Sequence, residues 1–92
     1  MEKNITVKFI FKGFVQGVGF RSFCHFYALK FGISGSVRNL MNGNVEIIAS
    51  AEKFSLDLFF QKIKQGPPGS FVEEIVTEDN AEKPLWKGFK IV

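Results

Sequence analysis

The stretch Ser36-Val37-Arg38-Asn39-Leu40-Met41-Asn42-Gly43-Asn44-Val45-Glu46-Ile47 sits at the middle of a 92-residue chain, and its reading organises everything on either side. Residues 33–40 and 45–50 read as two strands joined by Met41-Asn42-Gly43-Asn44. Asn-Gly between two such runs signals a hairpin, and a type I′ turn would put both central residues at positive φ. Val45, Ile47 and Ala49 alternate with Glu46 and Ser50, which is the period of a strand with two unlike faces.

A helical pattern flanks the hairpin on each side. Before it, Phe20, Phe23, Cys24, Tyr27, Ala28 and Phe31 recur at spacings of three and four, with Arg21, Ser22, His25 and Lys30 mostly off the stripe. Gly32 is placed to cap that helix. After the hairpin, Leu56, Phe59, Phe60 and Ile63 mark the buried face of a helix over about 53–65. Gly66-Pro67-Pro68-Gly69 ends it, because proline cannot continue a helix.

Strands close both ends. Val7, Phe9 and Phe11 alternate with Thr6, Lys8 and Lys12, predicting a strand over 6–12. Residues 71–77 predict another, 78–84 form a polar connection, and 86–92 predict a short edge strand. The order strand, helix, strand, strand, helix, strand predicts an α+β fold in one domain over 1–92. It is the ferredoxin-like βαββαβ sandwich, an antiparallel sheet of four to five strands with two helices on one face.

Composition narrows the class further. Hydrophobic residues make up 46% of the chain, and 12 residues are Phe, enough aromatic area to stabilise a small core. One cysteine, Cys24, excludes an intrachain disulfide. No signal peptide and no membrane-spanning run is visible, so a cytoplasmic location is expected. The net charge of +3 is mild and its lysines are scattered, which argues for neither a nucleic-acid nor a membrane partner.

The segment with chemical content is Gly13-Phe14-Val15-Gln16-Gly17-Val18-Gly19-Phe20-Arg21. A glycine-rich turn leads from a strand into a helix. Its N–H groups can converge on an anion, and the helix N-terminus adds unpaired donors and the positive end of a dipole. Arg21, just inside the helix, supplies a guanidinium fork that can hold two phosphate oxygens. The segment lacks the Gly-Lys-Ser/Thr ending of a P-loop and the spacing of a dinucleotide fingerprint. On the residues alone, a plain tight turn with a surface arginine stands beside the anion-binding reading.

These nine residues resemble the acylphosphatase signature, Gly-x-Val-Gln-Gly-Val-x-Phe-Arg. The resemblance continues in Gly35-Ser36-Val37-Arg38-Asn39 with Asn42-Gly43-Asn44-Val45-Glu46, and in Gly66-Pro67-Pro68, in the family's order and separations. It implies that Gln16, Gly17, Val18, Gly19, Phe20 and Arg21 bind the phosphoryl group of an acyl phosphate, with Arg21 as the essential cation. It also implies that Asn39 orients the attacking water. Read without the family, Asn39 is a turn residue at a strand end. Three positions depart from the family pattern: Phe14 where a basic residue is common, Ser36 for a frequent Trp, and Asn42 for a frequent Asp.

The resemblance further implies a monomer whose substrate is a small acyl phosphate, with inorganic phosphate as product or competing ligand. No cofactor is expected. No His/Cys/Asp cluster has metal-ligand spacing, so no metal is expected either. His25 reads as a bystander, and Cys24 falls on the apolar stripe as a core residue.

Two alternatives stand beside this reading. An RNA-recognition module shares the element order, and Lys12-Gly13-Phe14-Val15 echoes part of its signature, but the strand over 45–50 carries no aromatic residue. A non-catalytic or accessory phosphoryl-binding domain is the other. A domain of this kind begins the large carbamoyl-transferring proteins of hydrogenase maturation.

Overall fold

In a computed structural model, which describes residues 3–92, the chain runs through β1 (Ile5–Phe14), α1 (Phe20–Phe31), β2 (Ser34–Asn39), β3 (Val45–Ala51), α2 (Lys53–Ile63), β4 (Phe71–Asp79) and β5 (Phe89–Ile91). α1 ends where the sequence places its cap. Gly32 is left-handed at φ 69°, and the Gly32 and Ile33 N–H groups both donate to the Ala28 carbonyl. α2 stops at Ile63, two residues short of the sequence expectation, and the Gly66 N–H folds back onto the Ile63 carbonyl ahead of the two prolines.

The five strands form one sheet in the order β4-β1-β3-β2-β5. β1 pairs antiparallel with both β3 and β4, and β2 pairs antiparallel with β3. β5 departs from the expected antiparallel sheet by running parallel to β2, with Gly35 opposite Phe89 and Val37 opposite Ile91. The cause is the connection after β4. It crosses the end of the sheet where β1 and β2 begin, held by the Ala81 N–H on the Thr6 carbonyl, and delivers β5 to the far edge in the direction of β2.

The hairpin also differs from expectation. Only Gly43 takes a positive φ there (95°), and Asn42 does not. Leu40 and Asn44 close a three-residue loop: Leu40 N–H donates to the Asn44 carbonyl at 2.8 Å, and Gly43 N–H donates to the Leu40 carbonyl at 3.2 Å. Asn42 uses its side chain instead, accepting from the Asn44 N–H at 3.0 Å. A three-residue loop with one left-handed glycine is the next commonest hairpin solution after the two-residue turn.

Both helices cover the same face. There Val7, Phe9, Phe11, Val37, Val45 and Ile47 from the sheet meet Phe20, Cys24 and Ala28 of α1 and Leu56, Phe59 and Ile63 of α2. Aromatic rings knit the layers: Phe11 meets Phe20 edge-on at 5.2 Å, Phe9 stacks on Phe60 at 5.2 Å, and Phe59 meets Phe89 at 6.1 Å. Each buried phenyl contributes about 1.5–3 kcal/mol. The opposite face carries cross-strand ion pairs. Arg38 Nε donates to Glu46 Oε1 at 2.8 Å, and Lys8 lies between Glu46 and Glu78 at 4.0 and 3.9 Å. On this face β3, the central strand, presents Glu46, Ile48 and Ser50 with no aromatic side chain, while β1 presents Lys8, Ile10 and Lys12 and ends on exposed Phe14.

Because β1, β2 and β5 all run one way, their C-terminal ends reach the same end of the sheet. Val15, Asn39 and Ile91 arrive there together, beside the start of α1.

Candidate active site

Past the end of β1 the chain turns through the glycine loop. Val15 is buried and anchors it to the core. Gly17 (φ 76°) and Gly19 (φ 79°) are left-handed, and Val18 between them is not. Alternating hands turn successive N–H groups toward one side, which is the geometry of an anion nest. Among the described residues, the N–H groups of residues 16–22 donate to no carbonyl and to no side chain. α1 begins on Gly19, with no side-chain cap and no acidic residue in its first turn. Its dipole end is therefore open.

These donors border a cleft of about 210 Å³. Its polar wall comprises Gly17, Gly19, Arg21, Ser22 and Asn39, and its apolar wall comprises Val15, Phe20 and Ile91. Arg21 is exposed and, among the described residues, pairs with no carboxylate. Asn39 ends β2 on the helix-covered side of the sheet, in register with Val45. Its exposed carboxamide shares the cleft with Arg21.

Of the residues expected at the site, Gly17, Gly19, Phe20, Arg21 and Asn39 line the cleft; Gln16 and Val18 do not. The Val18 side chain packs against the core, leaving only its backbone for a ligand. Gln16 turns its side chain to the hairpin, where Nε2 donates to the carbonyls of Leu40 at 2.8 Å and Asn44 at 2.9 Å. Three lining residues lie outside the expected set: Val15, which belongs to the signature stretch, Ser22 and Ile91. Ser22 could be found from its place in the first turn of α1. Ile91 has no local signal, since only the sheet order brings it there.

The other reactive side chains lie elsewhere. His25 is half-buried beside Phe89, with ring centres 6.3 Å apart. Cys24 is fully buried, and burial pushes its thiol pKa well above the ordinary range. Among the described residues no three His, Cys, Asp or Glu side chains cluster as metal ligands would, and no helix is long and apolar enough to cross a membrane. A larger hollow of about 350 Å³ opens at the other end of the sheet between β1, β4 and α2. Its walls are mainly apolar (Val7, Phe9, Leu56, Phe60), and its lysine, Lys53, is already paired with Asp57 at 3.2 Å. Its size exceeds that of the cleft, but its lining includes no arginine.

The acylphosphatase family profile matches residues 7–91 of the chain. The chain belongs to the acylphosphatase family. It is 42% identical over 85 residues to an acylphosphatase of Vibrio parahaemolyticus, an alignment covering 92% of this chain and 93% of that protein. Its fold superposes on the crystal structure of acylphosphatase from Bacillus subtilis with a TM-score of 0.90 at 35% identity, covering 96% of this chain and 98% of that one. It also resembles full-length HypF in its phosphate- and nucleotide-bound form, with a TM-score of 0.87 at 30% identity. There all of this chain matches 12% of the larger one.

The three departures from the family pattern fall outside the cleft. Phe14 pairs with Phe71 at the end of the β1–β4 ladder, and both are exposed. Ser36 is buried opposite Ile48 on the face of β2 away from Asn39. Asn42 braces the hairpin loop.

Proposed function

We propose that the cleft hydrolyses the carboxyl–phosphate bond of acyl phosphates to a carboxylate and inorganic phosphate. The loop N–H groups and the Arg21 guanidinium hold the phosphoryl oxygens, and the Asn39 carboxamide holds the attacking water. The observation that carries this reading is the shared cleft: a run of N–H donors and an arginine, none of them paired among the described residues, border the space that Asn39 also lines.

Phosphoryl transfer passes through a loose transition state with its charge on the equatorial oxygens. Donors already fixed around those oxygens lower the barrier without reorganising. Water attacks phosphorus, the bond to the acyl oxygen breaks, and the carboxylate departs with the electron pair. The proton of the water passes to a phosphoryl oxygen. Among the described residues no strong base borders the cleft, whose polar side chains are Arg21, Ser22 and Asn39, and this supports a route in which the substrate accepts the proton. The leaving carboxylate is already a weak base, so the reaction needs neither a metal nor a cofactor. We infer a monomer acting in the cytoplasm on small acyl phosphates, with inorganic phosphate as a competing ligand. The absence of aromatics from β3 supports a reading without a nucleic-acid partner.

The test is phosphate release from benzoyl phosphate in the presence of a chelator, with Arg21→Ala as control. Release by the wild type that the variant lacks is expected. Phosphate binding without release would point instead to a non-catalytic phosphoryl-binding domain.

A further inference from the structure

We propose that Gln16 is a positioning residue: its carboxamide locks the anion loop to the hairpin and so sets the distance between the bound phosphoryl group and the water on Asn39. This inference rests on the proposed hydrolysis of acyl phosphates in the cleft.

A primary amide has two N–H bonds to give, and Gln16 Nε2 gives them to Leu40 and Asn44, 24 and 28 positions away. No donor of this side chain is left for a phosphate, and the remaining Oε1 is an acceptor that would repel one. The two carbonyls are not orphans that happened to find a partner. Leu40 already accepts from the Gly43 N–H, and Asn44 from the Leu40 N–H. Gln16 takes the second lone pair of each.

The location of the bridge gives it its consequence. Gln16 directly precedes Gly17, the first left-handed residue of the nest, and Leu40 directly follows Asn39. β1 and β2 are not neighbours in the sheet, since β3 lies between them. Beyond Phe14 and Asn39 no ladder joins the two chain segments. The Gln16 carboxamide spans that gap with a pair of short hydrogen bonds. Reacting groups held a fraction of an ångström too far apart lose much of the benefit of being held at all.

The experiment replaces Gln16 by Met, which keeps the length and removes both donors, and by Glu. Three quantities are read: kcat for benzoyl phosphate, the inhibition constant of inorganic phosphate, and Tm. For Gln16→Met, kcat should fall about 10- to 100-fold, while phosphate inhibition shifts less than about threefold. Unchanged kcat with a lowered Tm would reduce the bridge to a structural tie. Equal losses in kcat and phosphate binding would make Gln16 a ligand. For Gln16→Glu, the carboxylate faces two carbonyls at neutral pH, and protonation in acid restores one O–H donor. The ratio of its kcat to that of the wild type should rise as pH falls, and a flat ratio would overturn the proposal even if Gln16→Met does not fold. An inactive wild type would bring down both the proposed function and the positioning role of Gln16. An active wild type with full activity in both variants would bring down the positioning role alone.

Discussion

The indole N–H of Trp86 donates to the carbonyl of Gly35 at 2.9 Å, fastening the connection after β4 to the first turn of β2. The Gly35 N–H donates in turn to the Gly88 carbonyl at 2.9 Å, and Lys90 Nζ lies 5.2 Å from the centre of the indole ring. Both backbone groups of one residue are thus committed to the C-terminal segment, and that segment carries Ile91 to the cleft. Trp86→Phe keeps an aromatic ring beside Lys90 but removes the side-chain donor from the Gly35 carbonyl. It should cost about 1–2 kcal/mol, lowering Tm by roughly 4–8 °C for each kcal/mol in a domain of this size. Calorimetry measures the change, since the variant has no tryptophan left to report it.

Arg21 and Asn39 share a cleft, and the proposed reaction gives them different partners, so their removal should separate two measurements. Arg21→Ala should lower turnover by about 10²–10³-fold and weaken phosphate inhibition by roughly 10- to 100-fold. Asn39→Ala should cut kcat by a similar factor while the phosphate constant stays within about threefold. Steady-state kinetics with phosphate as inhibitor checks both, and equal loss of phosphate binding would show the division of roles to be wrong.

Two glycines test the backbone for different reasons. At Gly19 an added Cβ would meet nothing within 4 Å, so Gly19→Ala carries only the cost of a left-handed conformation, about 1–2 kcal/mol. It should fold and bind phosphate at least about tenfold more weakly, because alanine relaxes out of the left-handed region and the nest N–H groups then no longer converge. At Gly35 an added Cβ would collide with the Ile48 carbonyl oxygen, inside the β2–β3 ladder. Gly35→Ala should give no folded protein by circular dichroism.

Cys24 should be inert in the native state. Burial disfavours the thiolate, so the pKa is raised and the thiol stays protonated through neutral and mildly alkaline pH. A disulfide reagent at pH 8 should react slowly with folded protein and at once in denaturant. Rapid labelling of the native state would contradict the position of Cys24 on the buried face of α1.

The parts of this molecule that were legible in its sequence are those governed by neighbours in the chain. The stripe from Phe20 to Phe31 with Gly32 behind it is local geometry, and the helix forms with those bounds. The hairpin was legible as a hairpin but not as a turn type, because Asn42 suits either solution and uses its carboxamide to brace the loop. β5 is shorter than the pattern of residues 86–92 predicts, since the chain bends through left-handed Gly88 (φ 80°) before it joins the ladder. Its parallel pairing depends on how the chain crosses the sheet, which no local pattern encodes. At the cleft, glycine spacing pointed to the loop, and Arg21 follows from its place at the start of a helix. The bridge from Gln16 to residues 24 and 28 positions away, and the arrival of Ile91, are products of topology alone.

α1 starts without a cap of its own, and this ties folding to the composition of the surrounding solution. In the proposed site, an oxyanion seated on those idle amides would do for the helix what a serine or aspartate does elsewhere, and only the native chain could receive it. At a concentration one hundred times its dissociation constant, such a ligand adds about 2.7 kcal/mol to the stability of the native state. The protein should melt higher in phosphate than in a non-binding buffer of equal ionic strength, so its endurance in the cell would track the supply of its own product.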